Sequence, residues 1–318
     1  MGTSHSQTHC TAALIGDAKI SLWRLSAGHM VQQHSFARTG ASPAQDLSDA
    51  LSQAQMPKSD PVLVCGLTPA ATSVEVPAKP EDLAFTRLDH EAWSPEAWDL
   101  QVLPGLHQKN PVGLMQHSTA QIAGFLALNP KWDGVICLPG EVTHWVQISA
   151  AEVVSFHSTL TTGLYAALAA GLALPAHWSE SALAQGVADT MSRPERLATR
   201  LAELRARQLT AGGSTAEHNT TEHNTTEHNT TGRNTTGRNT TETAGLLWGY
   251  LLGAELAAAR AYWLGQNLAL IAPDHLAAPY LAALTAQGLP VTQAQPDRMA
   301  IEGLMQANRQ AGKPAPAP

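Results

Sequence analysis

The chain has 318 residues, 44% of them hydrophobic and 14% charged, enough to bury a sizeable core and to form two domains instead of one. With 26 acidic residues against 19 basic ones the formal net charge is −7, which argues against a nucleic-acid binder, since such a protein carries a basic patch or stripe. Three widely spaced cysteines, Cys10, Cys65 and Cys137, build neither a disulfide framework nor a four-cysteine zinc site, so a reduced, cytoplasmic setting is expected.

Met1 to Cys10 lacks the basic start and apolar core of a signal peptide. No apolar run reaches the roughly 18 to 20 residues that span a bilayer, so a soluble chain without a membrane partner is expected. Ala12 to Leu25 predicts a strand, a turn at Gly16-Asp17 and a second strand. Val62 to Leu67 is a short apolar run with a glycine near its end, and Gly134 to Pro139 is another, followed by a strand over Thr143 to Ile148. Pro77 to Pro104, rich in proline, acids and tryptophan, is expected at a joint between two domains. Glu180 to Leu209 reads as helical, with Ser192-Arg193-Pro194-Glu195 opening a second helix, and Leu246 to Gln266 reads as a long helix. Leu268 to Ala272 predicts a last apolar strand before a helix over Leu276 to Gln287. Mixed strands and helices imply an α/β chain whose site lies where loops leave the sheet.

One stretch breaks this alternation. From Glu217 to Thr241 the chain reads Glu-His-Asn-Thr-Thr three times and then Gly-Arg-Asn-Thr-Thr twice. A five-residue period fits neither helix nor strand, and no large apolar residue is present to offset ordering entropy, so a disordered insertion over 211–244 is expected. Metal binding by His218, His223 and His228, and glycosylation of the Asn-Thr-Thr units, are weaker readings of the same stretch.

Several segments together resemble the 2-dehydro-3-deoxygalactonokinase family, sugar-acid kinases of the actin-like ATPase superfamily. The clearest block is Val135-Ile136-Cys137-Leu138-Pro139-Gly140 with His144-Trp145-Val146-Gln147, Phe156 and Leu160-Thr161, where the family shows a strand, P-G-T-H-x-K-W and L-T-G-E. A second is Leu103-Pro104-Gly105-Leu106, with Met115 and Gln121 at the ends of the family's M-R-G-E-E-T-Q. A third is Glu203-Leu204-Arg205-Ala206, then Gly249 and Gly253-Ala254-Glu255. No single piece is specific; their collinearity from about Ala12 to Gly303 carries the resemblance. It implies two ribonuclease-H-like domains, 1–105 and 106–318, closing around a cleft. It also implies Mg-ATP and phosphoryl transfer to the 6-hydroxyl of 2-dehydro-3-deoxy-D-galactonate, a small sugar acid of galactonate degradation.

Phosphoryl transfer needs a cradle for phosphate, an anion to hold magnesium and a group to orient the attacking hydroxyl. The superfamily's first hairpin supplies D-[WFL]-G-[TS]-[TS]; aligned through Gly16 and Trp23, this chain has Leu14 for the acid and Asp17-Ala18 for the hydroxyl pair. M-R-G-E-E-T-Q becomes Met115-Gln116-His117-Ser118-Thr119-Ala120-Gln121, without the arginine or either acid. P-G-T-H-x-K-W becomes Pro139-Gly140-Glu141-Val142-Thr143-His144-Trp145, and A-G-T-S-L becomes Ala272-Pro273-Asp274-His275-Leu276, whose proline removes an amide donor. The family's sugar-facing A-G-M-V-G-S keeps one glycine, Gly66.

By position the candidates are Asp17 and His117 for catalysis, and Gly66, Gln121, Glu141 and Trp145 for substrate. Gly16, Gly140, Gly249, Gly253 and Asp274 are the candidates for nucleotide, and no metal ligand set is assigned. Losses fall on reactive positions while scaffold residues persist, so a family member with weak or lost kinase activity is the first expectation. A working kinase in which Asp17, His117, Glu141, Asp274 and His275 replace the missing groups is a second, and a non-catalytic sugar-acid or protein-binding module a third. A homo-oligomer stays open.

Overall fold

The structure, a computed structural model, describes residues 9–40, 42–67, 73–88, 98–213 and 231–311. In chain order the first half holds β1 (His9–Ile15), β2 (Lys19–Ser26), β3 (His29–Ala37), α1 (Pro43–Gln53), β4 (Val62–Cys65), β5 (Val74–Glu75), β6 (Thr86–Arg87), β7 (Leu100–Leu103), β8 (Leu106–Lys109) and β9 (Val112–Met115). Then come α2 (Thr119–Leu128), β10 (Gly134–Leu138), β11 (Thr143–Ser149), β12 (Glu152–Thr159), α3 (Thr161–Gly171), α4 (Glu180–Ser192), α5 (Leu197–Gly213) and α6 (Thr231–Ala258). The chain ends with α7 (Arg260–Trp263), β13 (Leu268–Ile271), α8 (Asp274–Thr285), β14 (Val291–Ala294) and α9 (Pro296–Ala311).

Two sheets repeat one plan. The first has the order β3-β2-β1-β4-β7-β6 and the second β12-β11-β10-β13-β14. In each, three antiparallel strands are followed by two parallel to the first of them, β4 and β7 beside β1, β13 and β14 beside β10. This is the pair of ribonuclease-H-like units that the actin-like fold comprises. Central strands such as Val62–Cys65 and Gly134–Leu138 are buried at every position, and a strand covered on both faces reads as an unbroken apolar run. The sheet edge β3 is mostly exposed and polar, so it shows no such run.

α2 and α9 lie between the sheets. Their residues Phe125, Met299 and Leu304 share one core with Leu14 and Leu63 of the first sheet and Ile136 and Phe156 of the second. α9 thus returns the chain's end to the first half, packing on β1 and β4. The outer face of the first sheet is covered by α1 through Leu47 and Leu51, and that of the second by α4, α6 and α8 through Leu183, Trp248 and Tyr280.

One expectation changes. Pro77 to Pro104 is not a joint, because it contains β7, an inner strand between β4 and β6, and Trp98 is 2% exposed beneath it. The insertion expected over 211–244 lies outside the described residues from 214 to 230; α6 begins at Thr231, and Thr243 and Ala244, past the repeat, are buried in it. Among the described residues no helix is long and apolar enough to cross a membrane.

Candidate active-site cleft

A cleft of about 660 Å³ opens where loops leave both sheets, between the β1–β2 turn, the start of α2, the β10–β11 turn and the first turns of α3, α8 and α9. The β1–β2 turn is held from below. Gly16 donates its N–H to the Lys19 carbonyl at 3.0 Å, and the Arg38 N–H reaches the Ala18 carbonyl at 2.9 Å. The Arg38 guanidinium donates to the Gly16 carbonyl at 3.4 Å and to Asp46 at 3.1 Å. Asp46 is 4% exposed, and a hydrogen bond from the Thr39 hydroxyl, more than the Arg38 charge, holds its carboxyl below the usual range.

On this turn Asp17 spans the cleft. Its Oδ2 accepts the Glu141 N–H at 2.6 Å, and its Oδ1 lies 3.9 Å from His117 Nδ1. A Cβ on Gly140 would stand 2.8 Å from the same Oδ2, so the carboxylate uses space that only a glycine leaves. His117 is seated by Cys65, whose Sγ–H donates to the His117 carbonyl at 3.4 Å; burial pushes that thiol up to about 12, which leaves it protonated. Lys19, the one lysine or arginine among the described residues that line the cleft, is paired with Asp297 at 3.3 Å. Among the described residues, three acids, Asp17, Glu141 and Asp297, therefore line the cleft with one lysine and two histidines, His117 and His275.

The sequence profile of the 2-keto-3-deoxy-galactonokinase family matches residues 15–222 and 228–307. The chain belongs to that family. Among solved structures it is similar to a Sinorhizobium meliloti protein described as a 2-dehydro-3-deoxygalactonokinase, with TM-score 0.76 and 23% identity over 95% of this chain and 96% of that one. It is also similar to (R)-2-hydroxyglutaryl-CoA dehydratase component A from Acidaminococcus fermentans, with TM-score 0.50 and 13% identity over 96% of this chain and 99% of that one. At these identities the likenesses show a shared fold. No curated protein matches the chain in sequence.

Set against the 2-keto-3-deoxy-galactonokinase positions, Gly16, Asp17, His117, Gln121, Gly140 and Glu141 come together in the cleft. Gly66 lies behind its wall, at φ 97°, where a Cβ would meet the Ile15 carbonyl and stand 3.1 Å from His117 Cβ. The other candidates need correction. Trp145 is fully buried and donates its indole N–H to Glu255 at 2.7 Å, so it has no face for a sugar. Gly249 and Gly253 sit in α6 against α4, where Cβ atoms would strike the Leu183 carbonyl and the Thr190 hydroxyl; what they do here is permit close helix packing, and they lie off the cleft lining. Asp274 is exposed and accepts from Gln295 at 3.2 Å, off the lining. Lys19, Asp297 and Thr162 line the cleft without having been singled out, and only Lys19, two residues past the turn, carried a sequence signal.

The Mg-ATP that this family and fold imply does not fit the side chains present. Asp17 puts a carboxylate on the Glu141 amide, and an acid beside phosphate without a metal repels it. Leu14 lines the cleft where the family has its metal-holding acid. Among the described residues no three His, Cys, Asp or Glu side chains gather to hold a cation.

Proposed function

We propose that this chain is a sugar-acid kinase by descent that has kept the scaffold and lost phosphoryl transfer, acting in a reduced, cytoplasmic setting. One observation carries the reading: the 2.6 Å hydrogen bond from the Glu141 N–H to Asp17 joins the two turns between which the family's phosphates belong. The paired state of Lys19 and the replacement of the family's arginine by Gln116, ahead of α2, support it. Three buried, unpaired cysteines support the reduced setting. Loss of a metal-holding acid together with charge-stabilising groups removes orders of magnitude in rate.

The test is to incubate purified protein with Mg-ATP and 2-dehydro-3-deoxygalactonate and to follow ADP. No ADP above a buffer blank is expected, and turnover in the ordinary kinase range of roughly 1–100 per second overturns the proposal. A cleft of about 660 Å³ is also the size of a small-molecule site, which favours a second reading, a sugar-acid-binding module without chemistry. Calorimetry with the sugar acid alone tests it: heat of binding supports the module, and none removes it.

A further inference from the structure

We propose that Asp17 is an oxyanion supplied by the chain itself: its carboxylate fills the amide seat of the β10–β11 turn and so shuts out the phosphate of a nucleoside diphosphate. The inference rests on the reading that the chain does not turn over Mg-ATP, and it adds the device. Four observations converge on it. The Asp17 Oδ2 accepts the Glu141 N–H at 2.6 Å, the short geometry of an amide bound to a charged oxygen. The second oxygen lies 3.9 Å from His117 Nδ1, beyond hydrogen-bond reach but close enough to pair with the imidazole when that ring is protonated. The seat is shaped for an oxygen, because Gly140 lacks the Cβ that would stand 2.8 Å from Oδ2. Finally, Arg38 fixes the turn that carries Asp17 through the Gly16 and Ala18 carbonyls, so little ordering is left to oppose the contact. An incoming phosphate must break this bond and meet a like charge, while Lys19, the only lysine lining the cleft among the described residues, is engaged by Asp297 at 3.3 Å.

The inference predicts that removing the carboxylate opens the seat. Calorimetry with ADP, with and without Mg²⁺, is to be run on the unmodified protein, Asp17→Asn and Asp17→Ala. No binding is expected for the unmodified protein up to about 1 mM ADP. Asp17→Ala is expected to bind at least about 10-fold more tightly. Asp17→Asn should fall between, since its amide oxygen can still accept the Glu141 N–H without the charge. Equal affinity in the unmodified protein and Asp17→Ala, or no binding by an Asp17→Ala protein that melts like the parent, overturns the inference. Amide exchange of the unmodified protein guards against a variant that does not fold. Glu141 N–H is expected to exchange at least about 10-fold more slowly than an open-chain amide, and exchange at the open-chain rate overturns the inference by itself. Turnover in the ADP assay would end the functional reading. Inactivity combined with equal ADP binding would end this inference alone.

Discussion

Glu255, inside the second half, and Asp17, at the mouth of the cleft, are both carboxylates that accept hydrogen bonds from other elements, yet their surroundings differ. Glu255 is 3% exposed and accepts from the Trp145 indole at 2.7 Å, the Thr159 hydroxyl at 2.9 Å and the Tyr280 hydroxyl at 3.0 Å. It thereby ties β11, β12 and α8 to α6. The Asp17 side chain is 32% exposed and accepts one amide. Removing the first leaves the buried Trp145 indole N–H without its acceptor and takes a partner from the Thr159 and Tyr280 hydroxyls, while removing the second returns one amide to water. A network of that kind resists substitution for the sake of folding alone, whereas a cleft position is held by ligand chemistry and can change once that chemistry is given up. The difference explains why a family scaffold can persist around replaced reactive groups.

Substitutions can break or sharpen that contrast. The largest effect is expected for Glu255→Ala, a loss of about 3 kcal/mol or more of unfolding free energy in a urea titration, against less than about 1 kcal/mol for Asp17→Ala. Similar losses at the two sites would contradict the comparison. Next comes Gly249→Ala, whose Cβ would strike the Leu183 carbonyl and push α6 off α4; a loss of about 1–3 kcal/mol is expected from such overpacking, read from the same titration.

The interior groups should also give stability opposite pH slopes. Burial raises the Glu255 carboxyl above its usual 4.5, so the folded state holds that proton more tightly than the unfolded one. Its contribution is full below about 4.5 and lost as pH rises through the raised value. Burial, helped by the charge of His117, lowers His144 from 6.5 to about 3, so its contribution is present above 6.5 and lost as pH falls toward 3. Urea midpoints across this range should show a shallower alkaline decline in Glu255→Gln and a shallower acid decline in His144→Asn; unchanged slopes would refute the assignment. The smallest effect is expected for Lys19→Ala, at most about 0.5 kcal/mol, because its pair with Asp297 is exposed and screened. A Tm drop of many degrees in that variant would show that the cleft rim bears on folding after all.

Much of the scaffold was legible in the chain. β1 with β2, β4, β10, β13 and α8 follow from largely apolar segments that end close to glycine or proline, and β11 from its start just after Pro139-Gly140, since central strands and covered helix faces write themselves as apolar segments. β3 and β12 escaped because their outward positions are polar and exposed or half-buried. The short strands β5, β8 and β9 form a sheet of their own that no periodicity announces. In the cleft, Gly16, Asp17, His117, Gly140 and Glu141 were readable from turns and family spacing. Asp297 was not, because it reaches Lys19 only through the return of α9 across 278 positions of sequence. Trp145 misled because its place in a family motif does not say which face of its strand it joins, and here both faces of that strand are covered.

The most direct test of the central claim is a crystal of the unmodified protein soaked with Mg²⁺ and a non-hydrolysable ATP analogue. The predicted map shows Asp17 still on the Glu141 amide and no metal bridging phosphate to protein. An ordered Mg²⁺ bound by Asp17 or Glu141, with phosphate oxygens in the Gly140 turn, would contradict the account.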